Sequence, residues 1–230
     1  MPLLKQLLFP DICASCNKFV KKSEAPVCSE CRSPLKLNQT LVCGSCRARL
    51  PESKKICHPD SYLLGIATSY HQPVIEKTIQ ALKFRYLESS APFLASLLIN
   101  FTDKLNPPPR ILNQSPLVIN IPLSKPRLKE RGFDQSALLA KIFATNYKLE
   151  YKSNLLIRIK DRSPQSLLTD KKERQENIKN VFQAQDNSTN KKLPLIIIDD
   201  ITTTGSTLDE AIKILRQTNY GPILALTVAG

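Results

Sequence analysis

LPLIIIDDITTTGSTLDEAIKIL, residues 193–215, decides how the rest of the chain is read. Leu195 to Ile198 form an uninterrupted apolar run, the pattern of a strand buried on both faces of a parallel sheet. That run delivers Asp199 and Asp200 to the carboxyl end of the strand, where open α/β sheets bind their ligands. Thr202, Thr203, Thr204, Gly205, Ser206 and Thr207 then turn into an amphipathic helix. Unpaired backbone N–H groups and the positive end of the helix dipole converge at such a turn, and the hydroxyls add donors, so the turn can cradle a phosphate. The two carboxylates beside it suit the hydroxyls of a ribose. A cap by Ser206 or Thr207 would explain the start of the helix but not two acids after a wholly apolar strand. The chain has no G-x-x-x-x-G-K-[ST], which excludes a P-loop NTPase, and no G-x-G-x-x-G, which argues against a dinucleotide-binding Rossmann unit.

Upstream, the same alternation recurs. SYLLGIATSY (61–70) predicts a strand, PVIEKTIQALKFRY a helix opened by Pro73, and APFLASLLINFTDKL a second helix that stops before NPPPR. LVINI (117–121) predicts another buried strand and GFDQSALLAKIFATNY a helix, with further strands at NLLIR and PILALTVA and a helix at DKKERQENIKN. Strands alternating with helical segments imply βαβ units, so the fold class is α/β with a mostly parallel sheet. After LVINI comes PLSKPRLKERGFDQ (122–135), which sets Lys125, Arg127, Lys129 and Arg131 close together. Phosphoryl oxygens need several donors and positive charges, and this basic loop sits one βα unit from the acidic one. Lys125 and Arg131 are its leading candidates. The polar segment IKDRSPQSLLTDKKERQ (159–175) reads as a lid that would bring Lys160, Arg162, Gln165 and Arg174 over a ligand; an ordinary exposed connection is the other reading.

The first 57 residues differ in kind. They hold all seven cysteines of a 230-residue chain with a net charge of +13. Cys13-x2-Cys16 and Cys28-x2-Cys31 are two knuckles separated by eleven residues, and four thiolates in tetrahedral reach are a structural zinc site. Cys43-x2-Cys46 is a third knuckle; Cys57 opens a fourth whose partner position is Asp60. Asp60, or the adjacent His58, would complete a second zinc; Asp60 keeps the knuckle spacing. A closed thiolate shell leaves no open position for substrate, so the zinc would be structural. An odd count of cysteines in C-x2-C pairs, on a chain whose opening MPLLKQLLFPDIC lacks a secretory pattern, argues for metal in a reducing cytosol over disulfides. Few large apolar residues follow the opening LLKQLLF, which is itself expected to cap a small core. A boundary near residue 60 is therefore expected: 1–60 a zinc-binding cysteine-knuckle domain, 61–230 the α/β domain. The surplus charge attracts polyanions, while 6% aromatics and no Trp are thin material for stacking single strands. No apolar run is long enough to span a membrane.

LIIIDDITTTGST resembles the phosphoribosyl-pyrophosphate (PRPP) signature of type I phosphoribosyltransferases. Together with IPLSKPRLKERGFDQS, the LKF segment (Leu82 to Phe84), Gln165, Arg174-x-x-Asn177 and the cysteine knuckles, it resembles the ComF family of DNA-uptake competence proteins. The resemblance implies a type I phosphoribosyltransferase sheet behind the zinc module. It implies that Asp199 and Asp200 hold the ribose hydroxyls, that Thr202 to Thr207 hold the 5′-phosphate, and that Leu123, Ser124, Lys125 and Arg131 face the pyrophosphate. If the protein is a transferase, Asp199, Asp200, Lys125 and Arg131 would carry catalysis by positioning and charge stabilisation, with Mg²⁺ entering with PRPP. The implied function is PRPP binding with cytosolic handling of transforming single-stranded DNA, alongside other DNA-uptake proteins and including a position at the inner face of the membrane. The alternative is a metabolic phosphoribosyltransferase of unread acceptor with no direct DNA role. Family members commonly carry a fourth C-x2-C where this chain has Cys57 and Asp60, and often Asn where it has Asp134.

Overall fold

Two fully buried strands, β7 (Leu195–Ile201) and β8 (Ile223–Ala229), form the middle of the sheet. The computed structural model describes residues 11–21, 26–50, 57–58, 60–160, 180–185 and 193–230. Ahead of β7 and β8 in the chain lie α1 (Ser29–Arg32), β1 (Leu41–Cys43), β2 (Arg49–Leu50), β3 (Leu63–Thr68), α2 (Pro73–Phe84), α3 (Ala91–Asp103) and β4 (Leu117–Asn120). They are followed by α4 (Lys125–Arg131), α5 (Gln135–Tyr147), β5 (Leu156–Arg158) and β6 (Phe182–Ala184). The last helix, α6 (Ser206–Gln217), joins β7 to β8. The six-stranded sheet has the order β2-β1-β3-β8-β7-β4; β3, β8, β7 and β4 are parallel, and β1 is antiparallel to both of its neighbours. The sheet is therefore mostly parallel, as the alternation predicts, and it runs across residue 60 because Val42 and Cys43 pair with Leu64 and Leu63.

Side chains alternate across a strand, and β7 shows what this does when both faces are covered. Ile196 and Ile198 pack with α2, α3 and α5 through Ile79, Leu98, Phe101, Leu139 and Phe143. Leu195 and Ile197 pack on the opposite face with Leu208, Ile212 and Leu215 of α6. Gly65 of β3 allows a close approach, since a Cβ there would stand 2.6 Å from the Phe101 ring. The cysteine-rich segment joins the first of these layers, where Cys13, Val27 and Cys28 are buried with Phe93, and the Arg32 guanidinium lies 5.1 Å above the Phe93 ring.

Two expectations change. NLLIR does form a strand, but β5 leaves the main sheet and pairs antiparallel with β6. It is three residues long and buried fully only at Leu156, too short and too wet for the interior of a parallel sheet. The basic segment expected as a loop is the helix α4, which Gly132 ends at a φ of 79°, a conformation glycine adopts without a steric penalty. The expected opening helix, the helix at DKKERQENIKN, and Arg162, Gln165, Arg174 and Asn177 of the lid lie outside the described residues.

Candidate ligand-binding and metal sites

The carboxyl ends of β4 and β7 lie side by side, with Asn120 in register with Ile198 and the Ile121 N–H donating to Ile198 O at 3.0 Å. The next helix after β4, beyond the short α4, is α5, on one face of the sheet; the helix after β7 is α6, on the other. Connections that part to opposite faces leave a crevice between them, the usual ligand position in such sheets. Asp199 and Asp200 lie near the end of β7 and Thr202 to Thr207 follow it, while Leu123 to Lys125 follow the end of β4.

The two acids are held differently. Asp199 Oδ1 accepts from the Ser136 hydroxyl at 2.8 Å and from the Asp200 N–H at 2.9 Å. Burial, then the neighbouring Asp200 charge, pushes its pKa well above the ordinary range. Asp200 Oδ2 meets Lys83 Nζ at 2.6 Å, and its Oδ1 accepts from the Ile201 N–H at 2.8 Å. In the turn that follows, Gly205, at a φ of 85°, is the N-cap of α6, and no side chain caps that helix. Ser206 or Thr207 is thus not the cap. Instead the Thr204 and Ser206 hydroxyls lie 2.9 Å apart, while Thr203 is exposed and Thr202 buried.

Across the crevice the basic candidates separate. Arg131 is buried at the end of α4; its Nη1 donates to Gln135 Oε1 at 3.0 Å and its guanidinium lies 5.5 Å above the Phe84 ring. Burial, then the Arg127 charge, lowers its pKa, while Asp200 acts in the opposite direction. Lys125 opens the same helix and is exposed, about 9 Å along the axis from Arg131 at 1.5 Å per residue. Ser124 is the N-cap of α4 without a side-chain cap bond, and the Leu123 N–H donates to Asp134 Oδ2 at 2.8 Å.

Sequence reasoning gave Asp134, Lys83 and Ser136 no role at this site. Asp134 caps α5 by accepting from the Ala137 N–H at 3.0 Å, and it also accepts from Asn120 Nδ2 at 3.2 Å, so one carboxylate ties the end of β4 to the loop 121–124. The D-x-x-A start of a helix is a readable cap signal; the reach to Leu123 is not, being a tertiary contact. Asp134→Ala should cost about 1–2 kcal/mol as a lost cap, measured by urea denaturation, whereas Asp134→Asn should cost a fraction of that.

The cysteines form two clusters. The Sγ atoms of Cys13, Cys16, Cys28 and Cys31 lie within 4.8 Å of one another, and the cysteines of both clusters are free thiols. A tetrahedral ion with bonds of about 2.3 Å would space its sulfurs about 3.8 Å apart, and Cys16 and Cys28 stand 3.8 Å apart. Burial opposes ionisation of Cys13, but backbone N–H groups of Cys16, Cys28 and Ser15 outweigh it and lower the pKa to about 6. The second cluster is Cys43, Cys46, Cys57 and His58. His58 Nδ1 lies 3.6 Å from Cys43 Sγ, and Cys46 and Cys57 lie 3.4 Å apart. His58, and not the spacing-preferred Asp60, therefore stands with the thiols. The Ser61 N–H donates back to His58 O at 3.0 Å, a turn that carries Asp60 outward, where its carbonyl accepts from Arg216 Nη1 at 2.5 Å. Both sets could hold a metal ion.

No family model matches the chain. The DNA utilization protein YhgH of Salmonella typhimurium is 28% identical over 172 residues, covering 72% of this chain and 71% of that protein. The protein of the same name from Escherichia coli is 27% identical over 177 residues, with the same shares. Competence protein F of Haemophilus influenzae is 32% identical over 103 residues, 44% of each chain. The chain is thus similar to proteins named for DNA utilization and for competence. The chain joins a mostly parallel α/β sheet to two cysteine-rich sets that could hold metal ions. Among the described residues, no helix is long and apolar enough to cross a membrane.

Proposed function

We propose that this chain is a ComF-family protein, that it binds PRPP in the crevice between β4 and β7, and that it acts in handling single-stranded DNA during DNA uptake. The observation that carries the ligand reading is the juxtaposition of two nearly buried acids, Asp199 and Asp200, with an uncapped helix start at Gly205. The acids offer acceptors for two ribose hydroxyls, and the N–H groups and hydroxyls of Thr202 to Thr207 offer donors for the 5′-phosphate. Arg131, next to Asp200, and Lys125, with the backbone at Leu123 and Ser124, would take the pyrophosphate. The DNA role rests on the relatives, which are named for DNA utilization and competence.

The proposal includes the type I phosphoribosyltransferase form of the sheet and a structural zinc in each cysteine-rich set, which are the soft and borderline ligands that zinc favours. On this reading residues 1–60 are the metal module and 61–230 the ligand-binding domain, although they share one sheet. The donors at the crevice are oxygens, which fit Mg²⁺; that ion would supply charge neutralisation on the pyrophosphate, held largely by the ligand and water. Calorimetric titration with PRPP, with and without Mg²⁺ and again after adding single-stranded DNA, tests the reading. Tight binding of PRPP and weaker binding of ribose 5-phosphate is the expected result; no heat with either would overturn it. Release of pyrophosphate on adding an acceptor would favour the metabolic transferase instead.

The net charge of +13 and the exposed Lys125 and Lys129 predict electrostatic DNA binding. The affinity should fall linearly with the logarithm of salt concentration, by about 0.7 log units per contacted phosphate. A flat salt profile, or strong preference for one sequence, would contradict this.

A further inference from the structure

The turn that carries the second metal set reaches the phosphate cradle. Cys43, Gly44, Ser45 and Cys46 form that turn, and the Arg47 N–H closes it on Cys43 O at 2.9 Å. The turn is pressed onto Tyr62, since a Cβ at Gly44 would stand 2.5 Å from the ring, and the Tyr62 hydroxyl donates to Asp209 Oδ1 of α6 at 2.9 Å. The knuckle is thereby fixed against the first turn of α6. Arg47 itself sits at a φ of 61°, a region that non-glycine residues seldom occupy. From there its side chain crosses to the residues between β7 and α6. Nη2 donates to Thr202 Oγ1 at 3.3 Å, and it lies so close to Gly205 that a Cβ at that position would collide with it. Nη1 is buried and has no hydrogen-bond partner among the described residues.

A buried donor without a partner is costly, and more so on a charged group. A guanidinium keeps its charge and presents a planar fork that matches phosphate oxygens. We propose that Arg47 is an anion-binding residue of the cradle, giving Nη1 to an oxygen of a phosphomonoester, and that the metal held by Cys43, Cys46, Cys57 and His58 sets its reach. This rests on reading the cradle as the 5′-phosphate site. The cysteine-rich segment then completes the ligand site as well as folding itself, and the loss of one metal ion is felt at the phosphate.

The test uses the full chain and ribose 5-phosphate as the calorimetric probe, with bound zinc counted in every sample. Arg47→Gln should keep the metal content of the parent and bind the probe at least tenfold more weakly, and Arg47→Lys should recover part of the loss. His58→Ala, or Cys57→Ser if the histidine variant retains its ion, should lose one metal and weaken the probe to a similar degree. The double variant should be no weaker than either single one, because both act through the same guanidinium. Hydrogen exchange at the amides of Thr203 to Thr207 should quicken in Arg47→Gln without any ligand present. An Arg47→Gln protein that binds as tightly as the parent overturns the role of Arg47, and additive losses overturn its dependence on the metal. A parent that binds neither PRPP nor ribose 5-phosphate overturns the site reading itself, and this inference with it.

Discussion

Chelating the metal from both cysteine-rich sets should unfold the described part of residues 11–60 and make all seven thiols reactive at once. The expected effect is large because apparent binding energies of about 10–16 kcal/mol per structural zinc are folding energy for modules this small, comparable to the whole stability of a typical domain. The consequence extends beyond the module, since Cys13, Val27 and Cys28 share a core with Phe93, Leu97 and Phe101. Elemental analysis should find between one and two zinc ions per chain. Circular dichroism and thiol titration during chelation should change together. Fewer than one ion per chain, with the thiols paired as disulfides, would refute the assignment.

Replacing Asp199 and Asp200 together by Asn should weaken PRPP by roughly 10²–10⁴-fold, since a hydrogen bond to a charged group is worth about 1.5–3 kcal/mol and two would be lost. Asn is preferable to Ala here because Ser136 donates to Asp199, and Lys83 is bonded to Asp200 with only 19% of its side chain exposed. The single variants should differ in stability. The pKa of Asp199 is raised in the fold by burial and by Asp200, so between the unfolded and the folded pKa the folded chain binds more protons than the unfolded one. Stability contributed by that extra proton binding falls as pH rises from the unfolded pKa towards the folded one. Asp199→Asn should therefore raise Tm near neutral pH, by about 2–4 °C for each kcal/mol relieved, while still losing ligand. Asp200→Asn should lower it, leaving the Lys83 charge uncompensated. Unchanged PRPP affinity in the double variant would refute the site.

What could be read in advance was what local pattern encodes. The apolar run at Leu195 to Ile198 and the helix after Gly205 announce β7 and α6 because burial on two faces leaves no other arrangement for those side chains. The C-x2-C spacing announces the metal ligands because a knuckle turn is local. Contacts between distant segments left no such trace. Lys83 lies in a helix whose pattern explains its apolar neighbours but not its carboxylate partner 117 residues later. His58 lost to Asp60 on spacing because the turn at Ser61 is set by β3, not by the knuckle. Nothing local to Arg47 in the sequence marks its partner, because the register of β1 against β3 is what brings it to Thr202.

That same pairing of β1 with β3 also protects the molecule. The row of backbone donors and acceptors on the outer side of β3 is covered by β1 at Leu63 and Leu64 and by Leu37 and Asn38 at its far end, and β1 in turn by the two-residue β2. An uncovered apolar strand such as LLGIAT is a template for another chain. Demetallated protein would therefore declare itself less by loss of shape than by loss of solubility, and oxidation of the thiols would be a route from a working molecule to an aggregate.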